Sequence, residues 1–113
     1  MININKNSKI YVLAPEGYET GGTELAHQLV DFLISKGSDA YIVYCNHARF
    51  VTAEVPPGFR KYNINVAPEP KDSSDNILVL PEINFNFYHF ELSLIGDIIL
   101  CINEFSLATA TFQ

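Results

Sequence analysis

Positive charge is scarce in this sequence: seven Lys and Arg stand against thirteen Asp and Glu, a formal net charge of −6. A nucleic-acid or anionic-membrane partner requires a basic face, and no basic run or aromatic–basic interleaving supplies one. Cysteine is scarcer still. Cys45 and Cys101 are the only two, and no CxxC or Cys/His cluster at ligand spacing accompanies them, so neither a disulfide framework nor a zinc site is expected. Long hydrophobic runs are missing as well. The most apolar late stretch, Leu92 to Ile102, is interrupted by Gly96 and Asp97 and is too short to cross a bilayer. Met1 to Ser8 alternates polar and apolar residues and lacks the apolar segment of a secretory signal, so the expected location is cytoplasmic. Neither GxGxxG nor a P-loop signature occurs, which disfavours a nicotinamide or P-loop role.

What is present is globular. Apolar residues make up 48% of the 113 and charged residues 18%, an ordinary folded composition. A chain of this length buries about 65% of its unfolded surface, enough for one core without metals or disulfides. Lys9 to Gly37 organises the rest. Ile10-Tyr-Val-Leu-Ala14 is an unbroken apolar run ended by Pro15; a strand without alternation is buried on both faces, as at the centre of a parallel sheet. From Leu25 the period becomes helical. Leu25, Leu29, Phe32 and Leu33 share one face, with Ala26 and Val30 beside them and Gln28, Asp31 and Ser35 opposite. Glu24 suits the positive end of that helix, and Gly37 suits a left-handed residue just past its other end.

Between strand and helix lies a loop ending in Gly21-Gly22. Without Cβ atoms this pair allows positive φ and close approach of a ligand to the free N–H groups at the helix start, an anion site. The plainer reading is a tight turn. Glu16, Glu19 and Glu24 crowd the loop with negative charge, which counts against phosphate unless a partner supplies cations.

Tyr11-Val-Leu-Ala-Pro15, Gly21-Gly-Thr-Glu-Leu-Ala-His-Gln-Leu-Val30 and Gly37-Ser-Asp-Ala-Tyr41 together resemble the start of bacterial glycosyltransferases of the two-Rossmann-domain (GT-B) type, those of surface-polysaccharide biosynthesis above all. The resemblance implies an α/β Rossmann-like open parallel sheet of about five strands in the order 3-2-1-4-5. It implies that residues 1–113 are a single N-terminal, acceptor-side domain, a truncated half of the fold whose C-terminal donor domain is absent. It places Gly21, Gly22 and Thr23 near the diphosphate of a nucleotide-sugar donor. It also makes Glu82, in Pro81-Glu82, a candidate acceptor-side residue bordering the cleft. Family members tend to carry tryptophans on the last strand and an Asp-Asn after it. This chain has no Trp and shows Asn103-Glu104 there, a departure that leaves those two residues without an assigned role.

Ser38 to Asn46 reads as the second strand, with no carboxylate at its end to hold a ribose. His47 follows and could face the cleft on the acceptor side, but no partner carboxylate or nucleophile accompanies it, so a solvated loop histidine is the favoured reading. His27 reads as a surface or boundary position on the first helix. Pro56-Pro57-Gly58 breaks the expected crossover helix, Phe59 to Val66 alternates like a short edge strand, and Ala67 to Asn76 is a loop. Asn76 to Glu82 is a second buried strand. A first-turn carboxylate of the following helix is an equal reading of Glu82. Ile83 to Ile95 carries both periods, and the need for a crossover favours helix, with His89 on it. Asp97 to Ile102 is a last strand, and the two cysteines, on strands separated by two others, are expected reduced. No cofactor is expected beyond the nucleotide-sugar donor itself.

Two functions follow. One is the N-terminal part of a glycosyltransferase that moves a sugar from a nucleotide donor to a glycan acceptor, inactive alone. The other is a non-enzymatic α/β binding module. Self-association through the last strand or the apolar 83–100 region is expected of a sheet left uncovered.

Overall fold

The computed structural model describes residues 7–46, 49–81, 97–103 and 106–110, from Pro81 onward by backbone alone. The apolar run after Ser8 forms β1 (Lys9–Pro15), and Ile10 to Ala14 are each at most 4% exposed. A strand with no solvent face needs partners on both edges and cover on both sides. Next come α1 (Gly21–Ser35), β2 (Asp39–Asn46), β3 (Arg49–Val51) and a single 3₁₀ turn at Pro57–Phe59. They are followed by β4 (Ile77–Pro81), β5 (Asp97–Asn103) and β6 (Ser106–Ala110).

The sheet order is β3-β2-β1-β4-β5-β6. β2 and β4 flank β1 in parallel, and β5 runs parallel beyond β4. β3 and β6 are antiparallel additions at the two ends. The protein is therefore α/β with a mostly parallel sheet. Alternation divides the core. Val12, Ala14, Ile42 and Tyr44 lie on the face that α1 covers, while Leu13, Val43, Cys45 and Leu80 point to the other.

The helix sits on the sheet by a different stripe from the one its large apolar residues mark. Its buried residues are Thr23, Ala26, His27 and Val30, spaced i, i+3, i+4, i+7 as one helical face requires. Leu29, Leu33 and Ile34 pack only at the margins of that contact. Phe32 is 56% exposed, with the Lys36 ammonium 5.5 Å from its ring centre. Small side chains let the helix backbone come close to the sheet, and the bulkier ones then flank the seam. The helix ends as expected. Gly37 has φ +85°, its N–H bonds to the Ile34 carbonyl, and the Ser38 N–H bonds back to Leu33.

Three strand assignments change. The expected third strand over Phe59 to Val66 is not one. Pro56 and Pro57 force the 3₁₀ turn, and Phe59 turns inward, 5% exposed. Only a one-residue parallel bridge remains, Ile42 to Val66, made by Ile42 N–H to Asn65 O and Ala67 N–H to Ile42 O at 2.8 and 3.0 Å. The rest of that edge is taken by β3 against Tyr44–Asn46. At the far side β5 is not the sheet edge, because β6 pairs along it. The expected helix over Ile83 to Ile95, with His89, lies outside the described residues.

Cys45 is a buried free thiol. β5, which carries Cys101, is three strand spacings away, about 14 Å, beyond the roughly 7 Å limit for a disulfide. No helix among the described residues is long and apolar enough to cross a membrane. The left-handed Gly37 yields a direct check. Gly37→Ala should lower stability by about 1 kcal/mol, read as a reduced urea midpoint with an unchanged slope.

Candidate functional site

The loop Glu16–Thr20 leaves β1 at its carboxyl end and delivers the chain into α1. β1 is also where the sheet reverses. The chain passes from β1 to β2 on one side and returns to β4 on the other. In open α/β sheets such a reversal leaves a crevice outside the carboxyl ends of the strands. The start of α1 therefore stands where a ligand site is expected.

Thr20, not the glycine pair, marks the boundary of the helix. It is the N-cap, with extended φ −110° and ψ 171°. Its N–H donates to Thr23 Oγ1 at 2.8 Å and its own Oγ1 accepts from the Thr23 N–H at 3.4 Å, a reciprocal cap. Its carbonyl accepts the Glu24 N–H at 2.9 Å. Gly21 and Gly22 are thus the first two helical residues. Neither has positive φ, which among the described glycines belongs to Gly17 and Gly37. A Cβ at either would meet open space. This corrects the expectation that the pair bends the chain. Their N–H groups are first-turn donors with no carbonyl four residues back to take them, and both residues are exposed.

Thr23 is placed differently from a ligand-facing residue. It is 1% exposed, its hydroxyl lies 2.9 Å from the Tyr18 carbonyl, and its N–H belongs to the cap. The three loop carboxylates are also engaged. Glu19 Oε1 accepts the Gly58 N–H at 2.7 Å, tying the loop to the 3₁₀ turn. Glu24 accepts the Tyr62 hydroxyl at 2.7 Å and lies 3.6 Å from Lys61; the hydroxyl first and the ammonium second hold its carboxyl below the usual range. Glu16 accepts weakly from Asn46 Nδ2 at 3.4 Å.

Beneath the first turn lies a group whose sequence position hid it. His27 is fully buried, not a surface or boundary residue. Its Nδ1 is 2.6 Å from the Thr23 carbonyl, and its Nε2 is 2.8 Å from the Tyr44 hydroxyl. A carbonyl only accepts, so Nδ1 carries the proton and Nε2 accepts from Tyr44. Phe59 closes the ring's remaining side at 4.6 Å between centroids. Burial pushes the His27 pKa down, opposed in part by the Thr23 carbonyl. Burial likewise pushes Tyr44 up to about 12 and the Cys45 thiol up to about 12, so both stay protonated at neutral pH. The signal available in the sequence was spacing: His27 shares the i, i+3, i+4 stripe with Thr23, Ala26 and Val30.

His47 and Glu82, the expected acceptor-side residues, lie outside the described residues. Among the described residues no group of three His, Cys, Asp or Glu could hold a metal ion. The Glu19–Gly58 contact makes a second prediction. A Cβ on Gly58 would meet the end of the Glu19 side chain, which can swing away into solvent, so Gly58→Ala should cost only the exposed hydrogen bond it breaks, about 0.5–1 kcal/mol. In a Glu19→Ala background the same substitution should cost markedly less. A double-mutant cycle in urea gives that coupling, and simple additivity would show that the contact contributes nothing.

Compared with known proteins, the chain matches no protein-family model, and no curated protein or solved structure gives a significant match.

Proposed function

We propose that this chain is the acceptor-side, Rossmann-like half of a nucleotide-sugar-dependent glycosyltransferase of the GT-B type. On this reading the first turn of α1 receives the donor's diphosphate. One observation carries it. Gly21 and Gly22 stand in ordinary helical conformation with room for a side chain, so the fold has no use for two glycines there. In a helix interior glycine is less favourable than alanine by about 1 kcal/mol. What the missing side chains leave open is access from outside to two N–H donors at the positive end of the helix.

The chemistry this supports is electrostatic. Sugar transfer leaves a nucleoside diphosphate carrying new negative charge, and preorganised N–H donors stabilise that charge as it develops. The described residues supply little cationic help, since Lys61 is engaged with Glu24. The remaining cations belong to the second lobe that the family resemblance implies. Glu82 and His47 keep their candidate acceptor-side roles in this reading.

One observation favours a second reading, a binding module without catalysis. The described histidine nearest the site, His27, is buried with both ring nitrogens engaged, so it offers no general base to an acceptor hydroxyl.

Titration of the ¹⁵N-labelled chain with UDP- and GDP-sugars separates these possibilities. The expected result is amide shifts centred on Gly21 and Gly22, weakened about tenfold in the Gly21→Ala/Gly22→Ala variant. That variant should be more stable than the wild type by about 0.4–1 kcal/mol for each replaced glycine. A loss of stability would mean that the glycines serve the fold after all. No shift at this turn at millimolar donor would remove the diphosphate reading.

A further inference from the structure

The buried polar chain under α1 does more than fill space. It runs from β2 to the first turn of the helix without a break: Tyr44 O–H to His27 Nε2, then His27 Nδ1–H to the Thr23 carbonyl. Thr23 is itself the residue that closes the N-terminal cap with Thr20. Both imidazole nitrogens are consumed and the side chain has no solvent contact. In the neutral ring Nδ1–H donates to the Thr23 carbonyl and Nε2 accepts from Tyr44. A second proton on Nε2 reverses the Tyr44 bond, so that the hydroxyl must turn to accept and its own O–H loses this partner.

We propose that the Tyr44–His27–Thr23 chain is a proton-sensitive latch: protonation of His27 releases the first turn of α1, with its cap, from the sheet. The latch is a property of the chain itself and stands whether or not that turn binds a diphosphate. Under the diphosphate reading it would also set the pH range in which the site is formed.

The surroundings offer a protonated ring two neutral acceptors, the Thr23 carbonyl and the Tyr44 hydroxyl oxygen, but no carboxylate as counter-ion. On β2 the neighbour is Tyr44, un-ionised at any physiological pH, and Cys45 belongs to the opposite face. From the 3₁₀ turn the neighbour is the apolar ring of Phe59. Beyond it, Arg60 lies 3.8 Å from Glu54, and Lys61 and Tyr62 are engaged with Glu24. Glu19 is held by the Gly58 N–H, and Asp31 accepts the Asn63 N–H at 3.1 Å. On α1 the ring lies in the first half of the helix, where the dipole disfavours a cation. β1 presents Val12 and Ala14 to this side. A charge placed here is neither solvated nor matched by a counter-ion, so it leaves by opening the structure.

The direction with pH follows. Burial lowers the folded pKa of His27, whereas in an opened state the ring regains an ordinary pKa of about 6.5. Opening therefore takes up a proton. The closed latch is at full strength above pH about 6.5 and weakens as pH falls towards the depressed folded value. In that window the opening equilibrium rises roughly tenfold per pH unit.

Hydrogen exchange on the full chain, without ligand, tests this. The Glu24 amide, bonded to the Thr20 carbonyl, should lose protection about tenfold per unit below pH about 6.5. The amides of Val12 and Leu13 in β1 should change less. His27→Gln can keep a donor and an acceptor but does not titrate, and should flatten the slope at Glu24. Tyr44→Phe removes the partner of Nε2 in the closed state only, and should raise opening at every pH while leaving the onset, set by the opened ring, near pH about 6.5. Long-range ¹⁵N–¹H spectra of the His27 ring should show the Nδ1–H tautomer at neutral pH. The proposal fails if Glu24 stays protected below the His27 titration, if β1 and Glu24 lose protection in step, or if His27→Gln keeps the wild-type slope.

Discussion

β1 constrains everything else. Its residues Ile10 to Ala14 have no exposed face, and it has parallel neighbours on both edges, β2 and β4. Parallel neighbours cannot be reached by a tight turn, so the chain must leave the carboxyl end of β1 and cross over before each pairing. The first crossover is α1, packed on one face. The return to the other side of β1 for β4 then separates the loops at the carboxyl edge. The carboxyl edge of β1 is therefore the place where open sheets of this kind tend to hold a crevice.

The position of α1 over the sheet is set by contacts of unequal kind. Ala26 and Val30 contribute apolar burial, which fixes distance but little else. The Tyr44–His27–Thr23 hydrogen bonds are directional and fix the helix's rotation and axial position against β2. The Thr20–Thr23 cap and the Glu19 contact to the Gly58 N–H then hold the loop that precedes the helix. A buried polar chain has a small net stabilising effect when complete, about 0.5–1.5 kcal/mol per bond, and a larger cost when broken. That asymmetry makes it suited to specifying one arrangement.

Much of this frame was legible in the sequence because burial on both faces leaves an unmistakable pattern. Ile10 to Ala14, Ala40 to Cys45 and Ile77 to Leu80 are unbroken apolar runs, and they are the three adjacent central strands. Gly37 was legible for the same reason, since few residues other than glycine suit the end of a helix in left-handed conformation. The failures share a cause. Thr23 was assigned to a donor diphosphate and His27 to a surface or boundary position, yet each satisfies its polar atoms inside the fold, and the periodicity of large apolar residues rotated the helix towards Phe32. Gly21-Gly22 was taken as the end of the loop because the pair allows positive φ, whereas the cap at Thr20 determines where the helix starts. Phe59 to Val66 had the alternation of a strand, but alternation does not reveal that two prolines have already turned the backbone away.

The acidic loop, which weighed against an anion at α1, carries less weight once its geometry is known. Glu16, Glu19 and Glu24 each accept a hydrogen bond from a partner within the fold. In water a unit charge about 10 Å from another interacts by only about 0.4 kcal/mol, and salt screens most of that at such a distance. A hydrogen bond from an N–H to a charged oxygen contributes about 1.5–3 kcal/mol. Under the proposed reading two such donors work against three carboxylates that are already hydrogen-bonded within the fold, a balance that does not favour tight binding. On that reading this chain alone would capture a diphosphate only weakly, with cations from elsewhere strengthening it. The loop is acidic, but its negative charge lies on side chains held by other parts of the fold, whereas the first turn of α1 presents exposed backbone at the helix's positive end.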